Sequence, residues 1–284
     1  MPVFFETRKN KRNTNQDSYL CMEYRVNHEA MIRVFVIADG MGGLACGELA
    51  SSMAVERWIL HLQKFTMSKE FLGRSLNDQM KQLEKFSYEV IETINKEIYQ
   101  EFSDRGLTGG TTLTAGILYW DTLILTNCGD SPAYFYRKSE DRFWKITKDQ
   151  NAAEQLVREG KIQRCSGEYG KQKNLLTDYL GKYRRSEPVV STCRFQEGDR
   201  LLLGSDGAFG TLGEAQIRTL LEKKERTPEQ VPVSIFDAAN RQGEEDNQTL
   251  IYYYKEEKQE DREPKKKEKR SLFGRRQAVK TCTR

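Results

Sequence analysis

The chain has 284 residues, of which 37% are hydrophobic and 31% charged, proportions typical of a folded protein with a sizeable core. The longest apolar runs fall far short of the ~20 residues that a membrane-spanning helix needs, and no secretion signal precedes them, so we expect a cytoplasmic protein. Two histidines disfavour chemistry built on a His cluster or a His-based triad. Six cysteines without paired spacing are typical of reduced thiols.

Apolar periodicity predicts the elements in chain order. A strand at 34–38 is followed by two long helices, over 50–65 and 76–98. Further strands are predicted at 111–118, 123–127, 133–137, 200–203 and 248–254, with shorter helices at 214–222 and 233–241. Strands in runs and helices in pairs favour a layered α+β domain over alternating βαβ units.

The charge is concentrated at the C-terminus. Residues 264–284 hold nine Lys or Arg and one Glu, whereas the rest of the chain carries a net charge of −4. We therefore expect a folded domain over 1–255 and a charged, basic, disordered tail over 256–284. The tail either only solvates the protein or contacts an acidic partner or an anionic membrane surface. Nucleic-acid binding would rest on charge alone and is not expected.

Four aspartates share one sequence context, at the predicted end or start of a strand: Asp39, Asp130, Asp206 and Asp246. One edge of a sheet can bring such residues together, and clustered carboxylates repel one another unless a cation neutralises them. Oxygen ligands without His or Cys suit Mg²⁺ or Mn²⁺. The glycine after Asp39 permits close backbone approach, so the Gly40 carbonyl could also be a ligand.

Two alternatives compete with a metal site. Asp-Gly pairs commonly mark ordinary turns, but two of them directly after apolar runs, with two similar aspartates elsewhere, weaken that interpretation. The stretch GMGGLA at 40–45 also satisfies the dinucleotide-binding pattern G-x-G-x-x-A. That function is disfavoured because Asp39 would lie beside a pyrophosphate and the expected acid ~20 residues later is missing.

Eight ordered stretches resemble motifs of the protein phosphatase 2C family of metal-dependent Ser/Thr phosphatases, and DGMGG resembles the stand-alone bacterial branch. They are RNTNQD (12–17), VIADGMGG (36–43) with GELAS (47–51), GGTTL (109–113), CGDSPAY (128–134), TKDQN (147–151), LTDYLG (176–181), GDRLLLGSDG (198–207) and EDNQT (245–249). The resemblance implies a central β-sandwich of two antiparallel sheets flanked by helices on both sides. Residues 1–255 would then be the phosphatase catalytic domain.

The resemblance also implies roles for individual residues. Asp39 would bridge two Mn²⁺ or Mg²⁺ ions, with Gly40, Asp206 and Asp246 as further ligands and Asp130 on a weaker third ion. A hydroxide bridging the two ions would attack phosphorus in line. Arg12 would hold the substrate phosphate. Outside the ligand set, Asp17, Gln16 and Asn247 would support the site, with Gln16 touching the metal only weakly or through water.

Departures from the family pattern affect recognition more than catalysis. Met41 and Leu44 stand where relatives carry His, so the general acid is unassigned. Residues 150–188 correspond to a variable flap beside the cleft. The implied partners are phosphorylated proteins, in particular a cognate Ser/Thr kinase and its substrates. The alternative is a catalytically silent relative that binds phosphoproteins as a regulator or scaffold, but such relatives usually lose the metal ligands that this chain retains.

Overall fold

The computed structural model describes residues 3–43, 46–164, 166–223 and 227–256. Its strands are β1 (Val3–Arg8), β2 (Asp17–Arg25), β3 (Met31–Met41), β4 (Gly110–Thr111), β5 (Leu113–Tyr119), β6 (Thr122–Cys128), β7 (Ala133–Arg137), β8 (Arg142–Lys145), β9 (Val189–Arg194), β10 (Arg200–Gly204) and β11 (Gln248–Tyr254). Its α-helices are α1 (Cys46–Thr66), α2 (Lys69–Leu72), α3 (Leu76–Asp104), α4 (Ala152–Arg158), α5 (Gly167–Gln172), α6 (Asp206–Phe209), α7 (Glu214–Glu222) and α8 (Gln230–Arg241).

The strands form two antiparallel sheets. The first has the order β1-β11-β10-β7-β8 and the second the order β2-β3-β5-β6-β9, with β4 added beside β3. Helices α1 to α3 cover the outer face of the second sheet, and α6 to α8 cover the outer face of the first. The predicted α+β sandwich with helices on both sides is therefore confirmed.

Strand β3 shows why its sequence is continuously apolar. Val34 and Val36 pack under the helices, whereas Phe35 and Ile37 point into the core between the two sheets. All four side chains are fully buried, and each such burial stabilises the fold by roughly 1.5–3 kcal/mol. Because both faces of the sheet are covered, the run lacks the apolar-polar alternation of a half-exposed strand.

The predicted end of the strand at 34–38 was wrong. The apolar run ends at Ala38, but β3 continues to Met41 because Gly40 and Met41 pair with the short strand β4. Asp39 therefore lies inside the ladder, opposite Asp17 of β2, and not at a strand terminus. The Asp-Gly pairs are not turns either, since Gly40 is in β3 and Gly207 is in α6.

The strands absent from the sequence prediction are the sheet edges. Strands β1 and β8 close the first sheet, and β2 and β9 close the second. Edge strands are only half covered, so they need no continuous apolar run and their residues are mostly partly exposed. A strand of this kind gives a weak sequence signal.

Two further findings concern membrane-spanning helices and the C-terminal tail. No helix in the described ranges is both long and apolar enough to cross a bilayer. Apart from Glu256, the predicted basic tail of 256–284 lies outside the described residues. The division into a domain of 1–255 and a tail stays a prediction.

Candidate active site

The predicted acidic residues meet at one end of the sandwich. Asp17 begins β2 directly opposite Asp39 in β3. Asp206 is the first residue of α6, just after β10, and Asp246 stands two residues before β11. Asp130 lies in the connection between β6 and β7. The two sheets thus bring together, at one end of the sandwich, carboxylates that are up to 229 positions apart in the chain.

The backbone fixes Asp39 in place. Its N–H donates to Thr112 Oγ1 at 3.0 Å, and its carbonyl accepts from the Thr112 N–H and from Thr111 Oγ1, both at 2.9 Å. The following Gly40 packs so closely that a Cβ there would lie 2.1 Å from the Gly47 carbonyl oxygen. Only glycine allows the backbone to approach this closely, and the sequence predicts such an approach at Gly40.

Asp39 and Asp206 form the centre of the cluster. Their carboxyl groups hydrogen-bond to each other, and the pKa of each is raised, first by burial and then by neighbouring negative charges. The neighbouring charges that raise the pKa of Asp39 are those of Asp17, Asp206 and Asp130. Two carboxylates in contact away from water require either a shared proton or a cation between them.

Asp17 and Asp130 flank this pair. Burial raises the pKa of Asp17 to about 7, although Ser205 Oγ donates a 2.8 Å hydrogen bond to its Oδ2. Its other oxygen, Oδ1, is buried and has no hydrogen-bond partner in the described part of the chain. Burial, followed by the charges of Asp206 and Asp149, raises the pKa of Asp130 to about 7 as well.

Arg12 lies at the rim. Its Nη2 donates to Asp246 Oδ2 at 2.7 Å, and 61% of the arginine side chain is exposed. This hydrogen bond is the main reason that the pKa of Arg12 is raised; the charge of Asp246 is second, and Asp206 and Asp39 add to the effect. Arg12 therefore belongs to the same electrostatic cluster as the carboxylates.

Asn247 and Gln16 hold the loops that carry these groups. Asn247 Oδ1 accepts from the Gln16 N–H at 2.9 Å, and its Nδ2 donates to the carbonyls of Lys9 and Thr14, both at 2.9 Å. Gln16 directs its Nε2 to the Gly42 carbonyl at 3.3 Å. Asn247 thus ties the loop of Arg12 to the loop of Asp246.

The donor set fits a hard divalent cation in its chemistry. Within the described residues, no three His, Cys, Asp or Glu side chains converge into a ready-made metal cage. The cluster nevertheless offers only oxygen atoms, it includes the buried Oδ1 of Asp17 without a partner, and its carboxylates crowd one another. Mg²⁺ and Mn²⁺ prefer such ligands and commonly keep several waters.

Some neighbours of the cluster were not singled out as site residues. Lys145 Nζ pairs with Asp149 Oδ1 at 2.5 Å, and Asn151 hydrogen-bonds to Asp130. Asp149 and Asn151 belong to the TKDQN stretch, which the sequence identifies only as a family motif. Ser205, the partner of Asp17, directly precedes Asp206 and could have been inferred from that position.

The two histidines lie away from the cluster. His61 Nε2 is 3.0 Å from Glu97 Oε1, between α1 and α3, and His28 lies in the connection between β2 and β3. Met41 ends β3, and Leu44 falls outside the described residues. The general acid therefore stays unassigned.

A family model described as Protein phosphatase 2C matches residues 7–250. The chain is 32% identical to a serine/threonine phosphatase stp of Listeria innocua, over 76% of this chain and 82% of that protein. The crystal structure of the serine/threonine phosphatase Stp1 from Staphylococcus aureus superposes with a TM-score of 0.76 at 25% identity, covering 90% of this chain and 95% of the other. The catalytic domain of the phosphatase PstP, solved in complex with two manganese ions, matches with a TM-score of 0.67 at 26% identity, covering 88% and 96%.

Proposed function

The chain belongs to the protein phosphatase 2C family of serine/threonine phosphatases, and on this premise we propose that Mn²⁺ or Mg²⁺ ions held by its carboxylate cluster drive the hydrolysis of phosphoserine and phosphothreonine in proteins. The observation that carries the proposal is the contact between the carboxyl groups of Asp39 and Asp206, with three more aspartates around them. Such a group of acids is unfavourable by itself and favourable around divalent cations.

Asp39, the Gly40 carbonyl, Asp206 and Asp246 would hold the two core ions. Asp130 would contribute to a weaker third site. Divalent cations in such a site lower the pKa of water and thereby supply the nucleophile at neutral pH. Asp17 and Asn247 keep the ligands and their loops in position, supported by the contacts of Asp17 with Ser205 and of Asn247 with the Arg12 loop.

Arg12 binds the phosphoryl group of the substrate. A guanidinium has five N–H donors, and the contact with Asp246 uses only Nη2. The remaining donors, on a largely exposed side chain beside the carboxylates, are free to bind phosphate oxygens, which arginine does bidentately. Because no histidine lies near the cluster, we propose that solvent water protonates the leaving group.

The substrates that we propose are phosphorylated proteins of the cytoplasm, in particular those of a cognate Ser/Thr kinase and the kinase itself. A role in phosphorylation signalling is therefore part of the proposal. A silent, phosphoprotein-binding role is disfavoured because every proposed carboxylate ligand is retained. The role of the basic tail at an acidic partner or an anionic membrane surface stays a prediction on residues that the structure does not describe.

The test is metal-dependent hydrolysis. Purified protein should hydrolyse p-nitrophenyl phosphate and a phosphothreonine peptide, lose this activity in excess EDTA, and regain it when Mn²⁺ is added in excess over the chelator. Zn²⁺ and Ca²⁺ serve as controls for unspecific cation effects. Undiminished turnover in EDTA would contradict the proposal.

A further inference from the structure

An open groove of about 840 Å³ lies at the end of β3, two residues beyond Asp39. One wall is formed by the end of α3 and the loop after it, including Phe102 and Leu107. The opposite wall is the segment 174–183, and the floor is formed by the end of β3 and by β4. We refer to this feature as the β4 groove.

The walls of the β4 groove present apolar side chains to solvent. Leu175, Tyr183 and Leu107 line it and are 55%, 84% and 36% exposed. Lys182, the charged side chain among the described lining residues, is paired with Asp178 at 2.7 Å. Exposed apolar side chains whose charged neighbour is paired with an acid are typical of a surface that binds an apolar group.

The wall of 174–183 is held in place by one buried residue of α3. Asn95 Nδ2 donates to the carbonyls of Lys182 and Arg184, both at 3.2 Å. Its Oδ1 accepts from the N–H groups of Gly181 at 2.9 Å and Lys182 at 3.1 Å. Four hydrogen bonds from a single side chain give this wall a fixed position, so the groove is largely preformed.

The same wall is joined to the floor. Leu180 and Thr111 exchange two backbone hydrogen bonds, of 2.8 and 3.0 Å. Gly110 lies so close to this wall that a Cβ there would be 2.6 Å from the Leu180 carbonyl oxygen. The groove and the active site therefore share one rigid frame, built on β4.

The β4 groove and the carboxylate cluster share strand β3. Met41 lines the groove and follows Asp39 by two positions in the same strand, a backbone distance of about 7 Å. Two or three residues of extended peptide cover such a distance. A polypeptide whose phosphoryl group lies at Asp39 and Arg12 would thus bring a neighbouring side chain to the groove.

We propose that the β4 groove is a specificity subsite that binds a large apolar or aromatic side chain, Leu, Met, Phe or Tyr, within about four residues of the phosphorylated residue of a protein substrate. This inference rests on the proposed function, because it uses the carboxylate cluster as the place of the phosphoryl group. Leu107 and Leu175 are the specificity-determining residues, and Asn95 positions the wall that carries Leu175.

The experiment compares phosphothreonine nonapeptides in which a single Phe is moved through each position within an alanine background, with the all-alanine peptide as reference. We expect kcat/KM for the best Phe position to exceed the reference by about tenfold, since burial of an aromatic side chain has an effect of at least that size. The double variant Leu107→Ala, Leu175→Ala should reduce the ratio to below about threefold while kcat/KM for p-nitrophenyl phosphate is unchanged.

The matched control is Leu60→Ala, because Leu60 is an exposed leucine (49%) of α1 that does not line the groove; it should retain the full ratio. Equal kcat/KM for all peptides in the wild type, or an unchanged ratio in the double variant, would overturn the inference. A parallel loss of p-nitrophenyl phosphate turnover would also overturn it, since the leucines would then support the catalytic site. Failure of the proposed function is seen separately, as absence of metal-dependent p-nitrophenyl phosphate hydrolysis by the wild type.

Discussion

Strand β10 has an aspartate at each end, and the two are treated in opposite ways. Asp199, before the strand, is fully buried and pairs with Arg137 Nη1 at 3.1 Å. It also accepts backbone N–H groups from Lys138 and Gln196, at 3.1 and 2.8 Å. Asp206, after the strand, hydrogen-bonds to another acid, Asp39, and its pKa is raised by burial and by the charge of Asp246.

The difference separates a structural carboxylate from a functional one. At Asp199 the protein supplies its own counter-charge and fills the hydrogen-bonding capacity of the oxygens, so the residue stabilises the fold. At Asp206 the acids face one another, which destabilises the fold unless an ion from outside neutralises them. Burial alone would not have distinguished the two residues.

The largest effect is expected at Asp199, the structural carboxylate. Asp199→Asn leaves the Arg137 guanidinium without its buried counter-ion, and breaking such a pair lowers the free energy of unfolding by about 3–5 kcal/mol. Urea denaturation in EDTA measures this change. Asp141→Asn is the matched control, because Asp141 pairs with Arg218 on an exposed side chain and a surface pair contributes about 1 kcal/mol or less. Equal effects of the two substitutions would remove the distinction.

In the carboxylate cluster, a substitution should lower the rate of turnover and not the free energy of unfolding. Asp39→Asn removes a proposed metal ligand and should lower kcat/KM for p-nitrophenyl phosphate with Mn²⁺ by about a hundredfold or more. The free energy of unfolding in EDTA should not fall, because the substitution also relieves repulsion between carboxylates. Asp199→Asn, assayed at a temperature where it is folded, should keep near-normal turnover. Activity of Asp39→Asn within a few-fold of wild type would contradict the assignment.

A pH titration sharpens the comparison. Because the pKa of Asp17 rises to about 7 in the folded state, the folded protein binds this proton more tightly than the unfolded chain. The resulting stability is complete below pH ~4 and is lost as the pH rises towards 7. In EDTA, the wild type should therefore lose stability relative to Asp17→Asn over this range, by up to about 1.4 kcal/mol per pH unit. Parallel stability curves of the two proteins would contradict the raised pKa.

The smallest effect is expected at the exposed rim. Arg12→Ala should raise KM for a phosphothreonine peptide by roughly tenfold, about 1.4 kcal/mol, with a smaller change in kcat. The Mn²⁺ concentration for half-maximal activity should change little, since Arg12 is not a proposed ligand. Lys11→Ala is the control, because Lys11 is a neighbouring exposed cation paired with Glu245. If Arg12→Ala leaves KM and kcat unchanged, Arg12 does not bind the phosphate.

The sequence by itself determined the central strands, the long helices and the acids of the site. The central strands are buried on both faces and the helices carry regular apolar stripes, so local composition is sufficient to identify them. Asp39, Asp130, Asp206 and Asp246 are identified because each stands near the predicted end or start of a strand, where one edge of a sheet can bring acids together. The phosphatase family followed from the order of eight motifs, which the family match confirms.

Only the tertiary structure decided the edges and the contacts. The edge strands β1, β2, β8 and β9 are held by ladder partners distant in the chain, and no local pattern encodes such partners. The extension of β3 through Asp39 depends on its pairing with β4, about 70 positions later. The difference between Asp199 and Asp206 likewise depends on which side chains fold against each, Arg137 in one case and Asp39 in the other. Two aspartates flanking the same strand look alike in sequence, because the sign of the charge facing a residue is a property of the packed molecule.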